Sequence, residues 1–267
     1  MGYLAIIAAR FRTLLQYRAA ALAGLFTQIF FGVVRIMILS AFYAASTSAP
    51  MSMRQMIGYV WLGQAMLLVM PWRVDEDVLR QVNDGSIVYE LARPLDLQTV
   101  WLARGLAWRT APVLLRLVPM LVIAMVVLPF VAPAWALDVP SVTAFVAWLA
   151  CFAGAIVLSA AISALMNVTL LWSLAGSGIP MIVGALATMF GGLTIPLVLF
   201  PEWSQPIIYA LPFAGLLDLP SRIFTGNLPP HDVIYVLADQ LAWSLVLIAF
   251  GRWLLARGVR KLVVQGG

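Results

Sequence analysis

Six stretches of this chain are apolar enough to enter a bilayer, and that pattern constrains the fold more than any motif in it. They run at about 21–43, 56–72, 110–131, 142–166, 176–199 and 233–255. A helix needs about 20 apolar residues to cross a hydrocarbon core of about 30 Å, and four of the six are clearly long enough. The second is short and ends on Pro71-Trp72, an interfacial signature. Composition agrees: 63% of residues are hydrophobic and 10% are charged, against roughly 25% charged in soluble domains. No polar stretch is long enough to enclose a core of its own. The chain therefore reads as one all-α integral membrane domain, residues 1–267, with six transmembrane helices.

The charges orient it. Residues 3–17 place Leu4, Ile7, Phe11, Leu14 and Leu15 near one face, with Arg10, Arg12 and Gln16 elsewhere. That spacing predicts a helix lying in the membrane surface, and the segment lacks the small-residue cleavage site of a removed signal peptide. With the N-terminus inside, the inner segments hold twelve basic residues: Arg10, Arg12, Arg18, Arg73, Arg80, Arg93, Arg104, Arg109, Arg252, Arg257, Arg260 and Lys261. The outer segments hold two, Arg54 and Arg222. Positive residues accumulate on the cytosolic side, so both termini are expected there. The net charge of +5 is thus an orientation signal and not a nucleic-acid footprint. The proline-rich segment 200–231 falls outside. It contains an apolar piece, 207–217, too short to cross, which is expected to form a re-entrant element or lid around Pro201, Pro212 and Phe213.

Between the second and third spans lies an island, 73–109, with six of the eleven acidic residues. Asp75, Glu76 and Asp77 can open a helix, where acids suit the dipole. Asp84-Gly85 signals a turn, and Glu90, Arg93 and Pro94 close the segment. Val78, Leu79, Val82, Ile87, Val88 and Leu91 supply an apolar side. A short amphipathic helix outside the bilayer suits docking into another protein's groove; a solvated loop is the alternative.

Several residues inside the spans stand out. Gly184, Thr188 and Gly192 recur every fourth residue, a stripe that lets helices approach closely, within the chain or between chains. Ser159, Ser163 and Asn167 form a weakly polar stripe facing a neighbouring helix or a water-filled path. Arg35 lies about 12 Å from the outer surface at 1.5 Å per residue, similar in depth to Asp239, and a charge there needs a partner. An Arg35–Asp239 pair is expected, with Arg35 in a substrate path as the competing reading. Arg109, Pro112, Arg116 and Pro119 share a face near the cytosolic end of the third span, where arginines can snorkel to headgroups. Catalysis finds no support. Ser177 and His231 fall on opposite sides of the membrane, and one His, one Cys (Cys151) and scattered acids make neither a metal site nor a disulfide framework.

The order of elements, together with Asp84-Gly85-Ser86-Ile87, Glu90-Leu91-Ala92-Arg93-Pro94-Leu95, Ile195-Pro196-Leu197 with Phe200-Pro201, Leu211-Pro212-Phe213, Pro220 with Ile223-Phe224-Thr225-Gly226, and Val264-Gln265-Gly266-Gly267, resembles the permease of bacterial ABC-2 type transporters, especially viologen or daunorubicin-type exporter members. The resemblance covers essentially the whole chain. It implies a multi-pass subunit of the bacterial inner membrane, the helix between spans two and three as the contact with a separate ATPase pair, and a second permease, identical or homologous. ATP and Mg would sit on the ATPase; the sequence has no phosphate-binding loop, and its lone lysine is Lys261. The apolar spans favour a hydrophobic or amphipathic cargo, drug-like or lipid. An ion-coupled carrier, which would need midplane acids, and a non-transporting structural subunit are the rival readings.

Overall fold

The computed structural model describes residues 2–14, 16, 18–45, 49–172 and 178–259. Ser177, Arg260, Lys261 and the terminal 264–267 motif lie outside them, as do Leu15 and Tyr17. Every regular element among the described residues is helical. In order they are α1 (Gly2–Leu14), α2 (Arg18–Ala45), α3 (Met53–Ala65), α4 (Glu76–Asn83), α5 (Ile87–Leu91), α6 (Leu97–Val122), α7 (Leu128–Val131), α8 (Val142–Thr169), α9 (Gly178–Phe190), α10 (Gln205–Tyr209), α11 (Asp218–Phe224) and α12 (Val233–Val259).

Four helical stretches are long and apolar enough to cross a membrane: 21–45, 97–131, 142–169 and 230–259. The second and fifth expected spans are shorter than the sequence suggests. α3 stops at Ala65 and gives way to a 3-10 turn, Leu67–Val69. α9 stops at Phe190, because Gly191-Gly192 breaks it and Gly192 adopts φ +83, a conformation that costs glycine little. The third span is longer than expected. It begins at Leu97, where Asp96 accepts the Thr99 N–H at 2.9 Å as an N-cap, so the last third of the acidic island is already helix. Near its far end the span loosens into a π turn, Ile123–Val127. Pro129 has no N–H to give here, and the Ala124 carbonyl accepts from Leu137 N–H at 2.9 Å instead.

α8 is the central post. It packs against α6, α11 and α12, and Ala155, Leu158, Ala160 and Ala161 along it are buried. Small residues set the spacing: a Cβ on Gly105 would stand 3.5 Å from the Ala160 Cα, so α6 and α8 touch backbone to backbone. α3 is the other buried helix, enclosed from Met56 to Ala65, with α2, α6 and α11 packed on it. Its start is fixed by a capping box between Ser52 and Gln55. α1 lies along α6, and Leu4 on its outer side is exposed.

Candidate functional site

The acidic residues that open the island are spent largely inside the molecule. Asp75 caps α4, accepting the Asp77 N–H at 3.0 Å. Its own N–H donates to Asn167 Oδ1, on α8, at 2.9 Å. Arg104 of α6 reaches Asp75 at 2.9 Å and Asp77 at 2.8 Å. Asp77 also accepts from Arg10 of α1 and Arg80 of α4, each at 3.0 Å. Arg104 is only 14% exposed, so these charge-assisted bonds are shielded and stronger than surface ion pairs. Arg10 and Arg104 were legible in the sequence only as orientation charges. The structure makes them clamps.

Most of the apolar side of the island is not free for a partner; of its six residues Val88 alone is exposed. Val78 and Ile87 are buried against Leu97, Trp101, Ala164, Val168, Leu170 and Leu255. The expected apolar peg is corrected to that extent: α4 and α5 pack on the Leu97 end of α6, the Val168 end of α8 and the Leu255 end of α12, burying apolar surface worth about 1.5–3 kcal/mol per large side chain. What faces outward is a polar rim. Glu76, Asp84, Gly85, Arg93 and Pro94 are exposed, and Tyr89 is 76% exposed. Gly85 turns the chain with φ +76. The Ser86 hydrogen bonds to Asp84 hold its carboxyl below the usual carboxylate range, including a backbone N–H donated at 2.9 Å, so it is anionic at neutral pH. Glu90 is turned inward, 13% exposed, 3.3 Å from Arg93 and accepting from Gln81 at 3.4 Å.

A polar ladder climbs from this platform along α8. Asn167 holds Asp75. Ser163 and Ser159 both accept from Arg109, which also donates to Gly105 O at 3.2 Å. Ser159 in turn donates to the Val69 carbonyl, in the 3-10 turn that follows α3. Arg109 is 4% exposed, so it does not snorkel to headgroups; its guanidinium fork is occupied inside the bundle. The serine and asparagine stripe thus connects four elements of the same chain.

Three further expectations meet different geometry. Arg35 and Asp239 do not pair. Arg35 donates to the Leu193 carbonyl, released by the end of α9, whereas Asp239 lies beside Gly215. The reason is packing: α2 sits on α3 and α6, while α12 sits on α8. The Gly184–Thr188–Gly192 stripe is interrupted because α9 ends before Gly192. Gly184 and Thr188 instead meet Trp72, whose indole N–H donates to Thr188 Oγ1 at 3.0 Å and whose Cδ1 would lie 3.3 Å from a Cβ on Gly184. Of the outer residues, Pro201 is exposed, Pro212 half-buried and Phe213 buried in the main core.

The outer segment carries a polar knot that sequence reasoning missed. Asp218 is fully buried. Its Oδ1 accepts the Leu197 N–H at 2.8 Å and lies 2.7 Å from Tyr59 Oη, which is also 2.8 Å from the Gly192 carbonyl. Arg222 stands 3.6 Å from the other carboxylate oxygen and donates to Tyr209 at 2.7 Å and Asn227 at 2.7 Å. This knot ties α3, the break after α9, and α11 together. Among the described residues no group of three or more His, Cys, Asp or Glu could hold a metal ion.

Compared with known families, residues 29–266 match the family described as ABC-2 family transporter protein. Searches of curated proteins and of solved structures find no significant match.

Proposed function

The chain belongs to the ABC-2 transporter family, and from that premise we propose that it is the permease subunit of an ATP-driven exporter for a hydrophobic or amphipathic substrate. The observation that carries the reading is the α4–α5 platform: clamped to α1, α6 and α8 through Asp75, Asp77 and Asn167, yet presenting Asp84 and Tyr89 to the outside. A partner ATPase binding that rim has a stiff connection to the spans, since rigid-body displacement of a clamped element moves what it is clamped to. The α8 ladder extends the connection through Arg109 to the 3-10 turn that follows α3.

In this reading ATP and Mg reside on a pair of ATPase subunits, and the translocation path is completed by a second permease, same or homologous. The chain crosses the inner membrane of a bacterium six times, with both termini cytosolic and segment 200–231 outside. α3 and α9 serve as crossings together with the irregular segments that follow them; non-helical backbone at membrane depth is tolerated where protein encloses it, and Val69, Met70 and Pro71 after α3 and Gly191, Gly192 and Leu193 after α9 are buried.

Co-purification from a host expressing the neighbouring genes tests the reading. An ATP-hydrolysing subunit bound in stoichiometric amount, with export of an amphipathic dye that stops on ATP depletion, is expected. Transport driven by an ion gradient without ATP, or a stable complex that moves nothing, would replace it.

A further inference from the structure

An open groove of about 580 Å³ runs beside α9, within the size range of small-molecule sites. Trp72, Met181, Gly184, Thr188, Ile195 and Phe200 are among its walls. Along α9 its lining extends from Pro180 to Met189, about 13 Å at 1.5 Å per residue. Thr194, at the end of the groove beyond α9, is shared with a narrow cleft of about 10 Å³ that Arg35 lines with Leu39, Tyr59 and Gly63, room for no more than a water. Among the described residues Arg35 makes one hydrogen bond, to the Leu193 carbonyl, and takes part in no ion pair. A guanidinium carries five N–H donors, and a charge at membrane depth without a counter-ion is costly. An apolar trough with an uncompensated cation at its end complements one kind of ligand.

We propose that this groove binds a lipid-like amphiphile with a single apolar tail and an acidic head, the tail lying along α9 and the head at Thr194, in the mouth of the Arg35 cleft. As cargo assignment it rests on the export reading above; as a binding site it does not. The apolar walls exclude a second charge, and the neutral Thr188 and Trp72 are already bonded to each other, so recognition of the head falls to Arg35.

The purified chain in nanodiscs is irradiated at alkaline pH with palmitic acid bearing a diazirine in its tail, or with the neutral primary amide of the same probe, and adducts are mapped by mass spectrometry. The acid should label α9 and Trp72 about tenfold more than the amide, the ratio expected from one charge-assisted hydrogen bond. R35Q should erase the difference while the amide signal persists, showing that the groove is intact; R35K should retain it. G184L, which fills the trough, should remove both signals. Equal labelling by acid and amide in the natural chain, or an R35Q variant that keeps the preference, would overturn the site. So would silence from both probes together with a G184L variant that changes oligomeric state, because a second copy of the chain would then cover the groove. The two readings fail separately: an associated ATPase without charge preference removes this site and leaves export, while charge preference without any ATPase does the reverse.

Discussion

Asp75 and Glu76 are neighbours of the same charge with opposite consequences. Asp75 caps a helix, holds Arg104 and fixes Asn167, whereas Glu76 is exposed. D75N should therefore destabilise the protein by about 1.5–3 kcal/mol, the scale of a hydrogen bond to a charged group, and E76Q by less than about 0.5 kcal/mol. Denaturant unfolding of the inner segment, followed by protease cleavage near residue 85, separates them. Arg109 gives a sharper case. Its fork serves Ser159, Ser163 and Gly105 at once, so R109K should lose about 1–3 kcal/mol although the charge is kept, since an ammonium is a point donor. Thermal melts of R109K and the natural chain in one detergent check this.

At the scale of elements, α4 and α5 should behave as part of the bundle and not as a mobile peg. I87A removes a side chain that is 1% exposed and should cost about 2–5 kcal/mol, the range for buried truncations. Y89A, on the rim, should leave the melting temperature unchanged while weakening the ATPase complex; fluorescence-detected melting and pull-down read the two effects. The sequence made α4 legible because Asp75, Glu76 and Asp77 precede an amphipathic stretch, and made its turn legible through Gly85. It did not say which way the apolar side points, since a groove on a partner and the feet of α6, α8 and α12 demand the same side chains. The third span starts early because Asp96 is an N-cap, a local signal masked by the surrounding charge. The fifth ends early because Gly191-Gly192 outweighs the apolar run around it. Arg35 and Asp239 looked matched in depth, but depth says nothing of azimuth, and α8 stands on the side of the bundle that α12 occupies. Nothing local marked Tyr59 and Asp218 as partners, because they are separated by 159 positions.

For the whole molecule, the proposed topology sets two ends with different chemistry in two compartments. Cys151 is buried, so a C151A background should fold and accept single cysteines. Cysteines at positions 84 and 89 should react with an impermeant maleimide only in inverted vesicles, and one at 231 only in intact cells. The bundle between those ends is held by the α8 ladder on one side and the Asp218 knot on the other, the connections that the proposed coupling would use. The central claim is that ATP hydrolysis reaches the spans through the rim at Asp84 and Tyr89. The decisive measurement is substrate-stimulated ATPase activity with D84R and Y89A together, made with the ATPase subunit in saturating excess. Stimulation should fall by about tenfold or more while the melting temperature holds, each tenfold being about 1.4 kcal/mol of coupling. Undiminished stimulation in a complex of normal stability would contradict it.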